Sequence, residues 1–350
     1  MKKEHILVIR FSALGDVAMA VPVVYSLATT YPDLRITVLS RAFARTFFED
    51  LAPNVNFMEA DLKGEYKGVK GLNALYRRLV AKHFTAVADL HNVLRSDYLR
   101  MRFNIGRYKV AHIDKHRKGR RKLTAFSGKV LVQQPTSFKK YADVFAKLGY
   151  PINPQFCSLF PPEGGNINLL PAIVGPKKSY EKWVGIAPFA AHEGKIYPPR
   201  LMKQVIKMLL DKHKDLRIFL FGRGKQEEET FTEWCNEIPQ CTYVGKHVET
   251  MHQELILISH LDLMVSMDSA NMHLASLTKT PVVSVWGATH PYAGFMGWCQ
   301  SADNAVQIDL PCRPCSIYGN KECVRGDYAC MRNIAPEQIL EKIENILNRD

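Results

Sequence analysis

The sequence predicts an α/β protein of two Rossmann-like domains, and three observations support this. Short apolar, β-branched runs alternate with amphipathic stretches along the chain. The runs are almost continuously apolar, as parallel strands covered on both faces require. A Pro- and Gly-rich break near the middle sorts them into two sets.

The first set lies at residues 6–11, 35–40 and 85–90, the second at 184–188, 217–221, 263–266 and 282–286. Helical patterns separate the strands, clearest at 198–213 and 227–235. Such βα alternation reads as an open, doubly wound sheet on each side. The break at 160–179 holds Pro161, Pro162, Gly164, Gly165, Pro171, Gly175 and Pro176. It places the domains at 1–165 and 166–350, facing across a cleft, because open α/β sheets bind ligands at the C-terminal ends of their strands. The last helical pattern, 336–347, is positioned to pack back across both domains.

Composition narrows the function classes. With 47% hydrophobic and 23% charged residues, the 350-residue chain can bury a sizeable core. Lys and Arg number 47 against 34 Asp and Glu, a net charge of +13, which favours an anionic partner. No apolar run approaches the roughly 20 residues of a membrane span, and the start lacks the pattern of a secretory signal. The expectation is a cytoplasmic protein whose eight cysteines are thiols or metal ligands.

Four strand-to-helix junctions carry candidate chemistry. Ser12-Ala13-Leu14-Gly15-Asp16 follows the first strand, placing Asp16 at or near a helix N-terminus. There it can cap the helix or, at a strand's C-terminal end, take a proton from an attacking hydroxyl. Met267-Asp268-Ser269-Ala270-Asn271-Met272-His273 opens a helix running to about Leu277, and free N–H groups at such a start suit a diphosphate. Asp268 is expected to cap that helix or to accept a sugar or ribose hydroxyl. His273 lies one turn in, on a face that can reach the site. Gly222-Arg223-Gly224 echoes a dinucleotide turn without its third glycine, and one of Glu227, Glu228 and Glu229 can hold a ribose. Lys195 sits in the loop after residues 184–188, where a cation can stabilise a departing diphosphate. No two aspartates are separated by one residue, so the Asp-x-Asp metal clamp of many sugar transferases is missing.

These motifs occur in one order: Arg10-Phe11-Ser12-Ala13-Leu14-Gly15-Asp16, Asp89-Leu90-His91-Asn92-Val93-Leu94-Arg95-Ser96, the Lys195 loop, Asp268-Ser269-Ala270-Asn271-Met272-His273-Leu274, and Val285-Trp286-Gly287-Ala288-Thr289-His290-Pro291. In this the chain resembles glycosyltransferase family nine, the ADP-heptose:lipopolysaccharide heptosyltransferases, from residue 6 to about 340. The resemblance implies a GT-B fold and an inverting, metal-independent transfer of heptose, or a related sugar, from an ADP-sugar to a lipopolysaccharide core acceptor. No cofactor is required. By position, Asp16 resembles the general base and Lys195 the phosphate-contacting lysine. Asp268, Ser269, Ala270 and His273, with Gly222 and Glu228, correspond to the nucleotide-sugar site. Ser12, Asn92, Arg95 and Arg120 are assigned to the acceptor, a lipid-linked acidic oligosaccharide. Two departures stand out: Ser269-Ala270 where Thr-Gly is frequent, and His91 where Gln is common.

Two features lie outside those motifs. Lys115-His116-Arg117-Lys118-Gly119-Arg120-Arg121-Lys122 is the densest charge run, expected to meet the acceptor or anionic headgroups at the inner face of the cytoplasmic membrane. Cys312, Cys315, Cys323 and Cys330 have a spacing that a structural zinc ion, reduced thiols or disulfides would all fit. Two other classes fit less well. A nucleic-acid-binding protein would explain the charge, but no helix-turn-helix, RNP-like or finger-like pattern occurs. An oxidoreductase would explain the paired domains, but the glycine fingerprint is broken. The serious rival is a related transferase using another nucleotide sugar or acceptor.

Overall fold

The computed structural model describes residues 4–348. By its contacts the chain divides into two compact units: residues 1–115 with 135–159, and residues 116–134 with 160–350. The second unit therefore begins six residues before the expected boundary at 165, and it also takes in the basic segment 116–134.

The first unit runs β1 (His5–Ile9), α1 (Leu14–Ala18), α2 (Val21–Thr30), β2 (Arg35–Ser40), α3 (Arg45–Phe48), β3 (Val55–Glu59), α4 (Gly68–Val80), β4 (Ala86–Asp89), α5 (Leu94–Ile105) and β5 (Lys109–His112). After α6 (Arg117–Leu123), which belongs to the other unit, α7 (Ser137–Lys147) completes it. Its five strands are parallel in the order β3-β2-β1-β4-β5. Leu7, Ile9 and Val87 pack with Leu72, Leu75 and Leu79 of α4 and with Leu99 and Phe103 of α5. The alternate residues Ile6 and Val8 point to the opposite face and are buried too.

The second unit runs β6 (Lys182–Ala187), α8 (Pro199–Lys212), β7 (Leu216–Leu220), α9 (Lys225–Glu237), β8 (Cys241–Tyr243), α10 (Met251–Ser259), β9 (Leu263–Met267), α11 (Ala270–Leu277), β10 (Val282–Val285), β11 (Ala305–Val306), α12 (Ala329–Arg332) and α13 (Pro336–Leu347). Its six-stranded parallel sheet has the order β11-β10-β9-β6-β7-β8. Val184, Ile186, Val265 and Val283 share a core with Val205 and Leu209 of α8 and with Ile339 and Ile343 of α13. The last helix thus packs on α8 and on the second sheet.

The Pro/Gly break is irregular chain with one short 3-10 helix, Ile167–Leu169, and it is tied to the second unit. Gly165 N–H donates to Ser259 Oγ at 2.9 Å, His260 Nε2 lies 2.7 Å from the Gly165 carbonyl, and Lys177 Nζ reaches Asp262 at 2.7 Å.

In both sheets the chain starts mid-sheet, builds two strands one way, then returns to build the other side. The reversal falls between β1 and β4 in the first unit and between β6 and β9 in the second. Connections leaving in opposite directions there open a crevice at the strands' C-terminal ends.

Gly185 shows how tightly the central strand is covered: a Cβ there would fall 2.7 Å from Leu261 Cδ1 and 2.8 Å from Met264 Sδ. Gly185→Val is expected to destabilise the protein by about 1–3 kcal/mol through overpacking, measured by urea denaturation.

Candidate active site

In the first unit, the loops after β1 and β4 meet at the switch point. Arg10 leaves β1 buried and organises both. One guanidinium nitrogen donates to the Leu90 carbonyl at 2.7 Å, and another pairs with Asp16 Oδ2 at 2.7 Å. Asp16 does not occupy the N-cap of α1. It is the third helical residue, and its Oδ2 reaches back to the Ala13 N–H at 3.4 Å, half of a capping box. Its side chain keeps 29% exposure, so an ion pair orients the carboxylate without closing it off. Tyr141 of α7 anchors the backbone by donating to the Asp16 carbonyl at 3.2 Å.

His91 joins the loops from the other side. Its Nδ1 accepts from the Phe11 N–H at 3.4 Å, which leaves the proton on Nε2, 3.5 Å from Ser12 Oγ. Burial, reinforced by the Arg10 charge, pushes its pKa down to about 3, so the ring is neutral. Asp89 is fully buried. One carboxylate oxygen accepts the N–H groups of His91 and Asn92 at 2.9 Å each, and the other takes Arg100 at 3.2 Å. Asn92 adopts a left-handed backbone and spends its side chain on the Ile113 carbonyl and Arg100. Arg95 is exposed on the first turn of α5.

In the second unit, the loops after β6, β7, β9 and β10 gather at one sheet edge. Lys195 comes from the loop after β6 and Asp268 from the end of β9, the two strands flanking the switch point. They form an ion pair at 3.0 Å, with 16% and 5% of their side chains exposed. Asp268 therefore does not cap α11. The N-cap position belongs to Ser269, whose hydroxyl lies 3.2 Å from Ser266 Oγ and makes no capping bond. Ala270 is the first helical residue, and His273 is buried one turn in.

Among the three glutamates, Glu227 is the one folded over the glycine turn. A Cβ on Gly222 would fall 2.2 Å from a Glu227 carboxylate oxygen, so Gly222 is needed for that approach. Burial raises the Glu227 pKa, while Glu228 points outward and is exposed. Arg120 is also placed differently from expectation: its guanidinium donates to Tyr318 Oη at 2.7 Å and lies over the rings of Phe295 and Tyr318.

The segment holding the four late cysteines backs the Lys195 loop. Ala288 N–H donates to the Gly194 carbonyl at 2.8 Å, and the Ala288 carbonyl accepts from Cys315 N–H at 3.0 Å and Ser316 N–H at 3.2 Å. Gly319, at φ +77°, lies so close to Lys195 that a Cβ would meet its Cδ at 2.4 Å. Buried Arg313 binds the Gly287 and Thr289 carbonyls at 2.5 and 2.9 Å, fixing the loop after β10. All eight cysteines are free thiols, and among the described residues no three Cys, His, Asp or Glu side chains form a group able to hold a metal. The arrangement of Cys312, Cys315, Cys323 and Cys330 thus gives the zinc reading no support.

A cavity of about 730 Å³ in the first unit, lined by Arg35, Arg45, Glu59, Asp61, Tyr66 and Arg78, lies apart from the switch-point loops. Arg45 there pairs with Glu49 and Glu59, and Arg78 bonds Tyr66.

A family model for glycosyltransferase family 9 (heptosyltransferase) matches residues 72–325. The chain belongs to this family. It is 29% identical over 153 residues to lipooligosaccharide heptosyltransferase 2 of Campylobacter jejuni, a match covering 40% of this chain and 44% of that protein. The chain thus spans less than half the length of that relative. It is 25% identical over 309 residues to the lipopolysaccharide core heptosyltransferase OpsX of Haemophilus influenzae, covering 82% of this chain and 80% of that protein. The solved E. coli ADP-heptose lps heptosyltransferase II superposes with a TM-score of 0.68 at 19% identity, over 98% of each chain. The fold is the GT-B fold of such heptosyltransferases.

In this family member, reading the sequence brought Lys195 and Asp268 to one sheet edge but not to each other. Arg10 and Asp89 carried no assigned role there, and Glu227 stood only as one of three candidates for the ribose. A cation closing an apolar strand, as Arg10 does, was the available signal.

The His91 environment has a measurable consequence. Below pH 6.5 the unfolded chain binds a proton that the folded ring refuses until about pH 3, so stability falls as the pH drops through that window. His91→Gln preserves an acceptor for Phe11 and a donor for Ser12. Its melting temperature is expected to fall less than that of the parent between pH 7.5 and pH 5. An equal fall in both proteins would contradict the assignment.

Proposed function

We propose that this chain transfers a heptose from ADP-heptose to a lipopolysaccharide core acceptor, with inversion at the anomeric carbon. Family membership supports the reaction class, and the names of its relatives support the sugar and the acceptor. The observation that carries the reading is the Lys195–Asp268 pair at the switch point of the second sheet, beside a helix start that Ser269 leaves uncapped.

The second unit holds the donor. Lys195 and the leading N–H groups of α11 take the diphosphate, stabilising the charge that develops as it departs. Asp268 loses its lysine partner to the phosphate and accepts a hydroxyl of the donor. Glu227, over Gly222, is better placed than Glu228 to hold the ribose. The first unit supplies the base. An acceptor hydroxyl attacks the anomeric carbon opposite the diphosphate, and Asp16, oriented by Arg10, removes its proton. Ser12 and Arg95 are the residues of this unit left to contact the acceptor. With no Asp-x-Asp pair in the chain, a metal has no part in this reading. The basic helix α6 associates the enzyme with the anionic face of the membrane that carries the acceptor.

Asp16→Ala is expected to lower kcat by about 10²–10⁴-fold while leaving ADP affinity unchanged, because general-base catalysis acts on the transition state alone. Coupled ADP-release kinetics with ADP-heptose and a heptose-deficient core oligosaccharide measure the first, and calorimetry the second. More than about a tenth of the parental rate in the variant contradicts the role of Asp16. Turnover with a different nucleotide sugar, and none with ADP-heptose, contradicts the donor. The anomeric configuration of the product, read by NMR, tests inversion.

A further inference from the structure

We propose that residues 117–132 form an arm that docks on an anionic lipid bilayer, with α6 at the headgroups and the loop after it entering the acyl boundary. This deepens the membrane association proposed above and rests on it only for the lipid-linked nature of the acceptor.

The sequence of α6, Arg-Lys-Gly-Arg-Arg-Lys-Leu, places five cations in seven residues with no acid among them. Arg117, Lys118, Arg121 and Lys122 are exposed and make no ion pair among the described residues. Like charges so crowded on one short helix repel each other, and an anionic surface removes that penalty.

Charge alone would suit any polyanion, but the next residues are apolar. Phe126 is 87% exposed, Val130 43%, Leu131 54% and Val132 55%. Four large apolar residues in seven positions, all facing water, are unusual on a soluble surface and mark an interaction site. Between them Gly128 turns the chain at φ +65°, with nothing within 4 Å of where a Cβ would be. The apolar residues therefore flank an open loop tip.

The arm is held at both ends and at Lys129, beside the turn. Leu123 is buried, and Arg120 is fixed on Tyr318 and Phe295. Lys129 Nζ donates to the carbonyls of Cys312 at 2.8 Å and Pro314 at 3.0 Å, and Gln134 N–H donates to Tyr292 O at 2.8 Å. An anchored loop presents its apolar tip at little entropic cost. Val130, Leu131 and Val132 are aliphatic and offer a nucleic acid no stacking surface, which leaves Phe126 as the one ring among the four exposed apolar residues. A second copy of the chain would bring its own cations against these. A bilayer with anionic headgroups satisfies both halves of the segment.

Co-sedimentation of the full chain with vesicles tests this. The parent is expected to bind phosphatidylcholine vesicles containing phosphatidylglycerol, to bind pure phosphatidylcholine at least about tenfold more weakly, and to lose affinity with added salt. A Phe126→Ser, Val130→Ser, Leu131→Ser triple variant keeps every cation and is expected to lose about tenfold or more in binding. An Arg117→Gln, Lys118→Gln, Arg121→Gln, Lys122→Gln variant is expected to lose its preference for the anionic vesicles. Unchanged ADP affinity in both variants verifies that the second unit is folded, and keeps this test separate from that of sugar transfer. The proposal is overturned if the triple variant binds as the parent does, if binding ignores phosphatidylglycerol, or if the apolar tip instead drives self-association without vesicles.

Discussion

Parallel strands must be joined by crossovers that cover a face of the sheet, and a sheet begun in its middle has to reverse direction once. Both sheets here begin that way. At the reversal no helix closes the strand ends, so the loops after the two flanking strands are left side by side. In the first unit these are the loops of Arg10–Asp16 and Leu90–Asn92, in the second those of Lys195 and Asp268. Candidate chemistry is found at these places because the chain's route leaves backbone and polar side chains uncovered there.

Polar groups in such a crevice need partners until a substrate arrives, since a buried unpaired charge is costly. Each unit meets this need with one cation and one carboxylate. Arg10 is the more deeply set of its pair, tied also to a backbone carbonyl, and Asp16 keeps the exposure. That asymmetry suits a fixed cation and, on the proposed reading, a carboxylate that works as a base. In the second unit Asp268 is the deeper partner, and Lys195 reaches outward from a loop braced by Ala288 and Gly319. On the proposed reading, the cation is the group that exchanges its partner for a phosphate.

The interior strands were legible because both faces of each are buried, which writes an unbroken apolar run into the sequence. Strands β1, β2, β4, β6, β7, β9 and β10 all lie at or near the predicted runs. The four that went unread are β3, β5, β8 and β11, and every one is a sheet edge. Val-Asn-Phe-Met-Glu, Lys-Val-Ala-His, Cys-Thr-Tyr and Ala-Val are short or half-polar, as half-covered strands are. The site was legible at the level of loops and not of partners. A motif locates Asp16, Lys195 and Asp268, but ion pairing depends on distances between residues 6 and 73 positions apart. Likewise three adjacent glutamates look equivalent in a string, and only helix phase selects Glu227 to fold over Gly222. The basic run gave its charge but not its anchoring, because Arg120 and Lys129 are held by residues nearly two hundred positions away.

On the proposed reading, the donor sits at the reversal between β6 and β9. A crystal structure of the protein with ADP tests it directly. The diphosphate is expected against Lys195 and the first turn of α11, with the Lys195–Asp268 contact opened and the ribose beside Glu227. A diphosphate bound instead at the loops after β1 and β4, with the Lys195–Asp268 pair undisturbed, would contradict it.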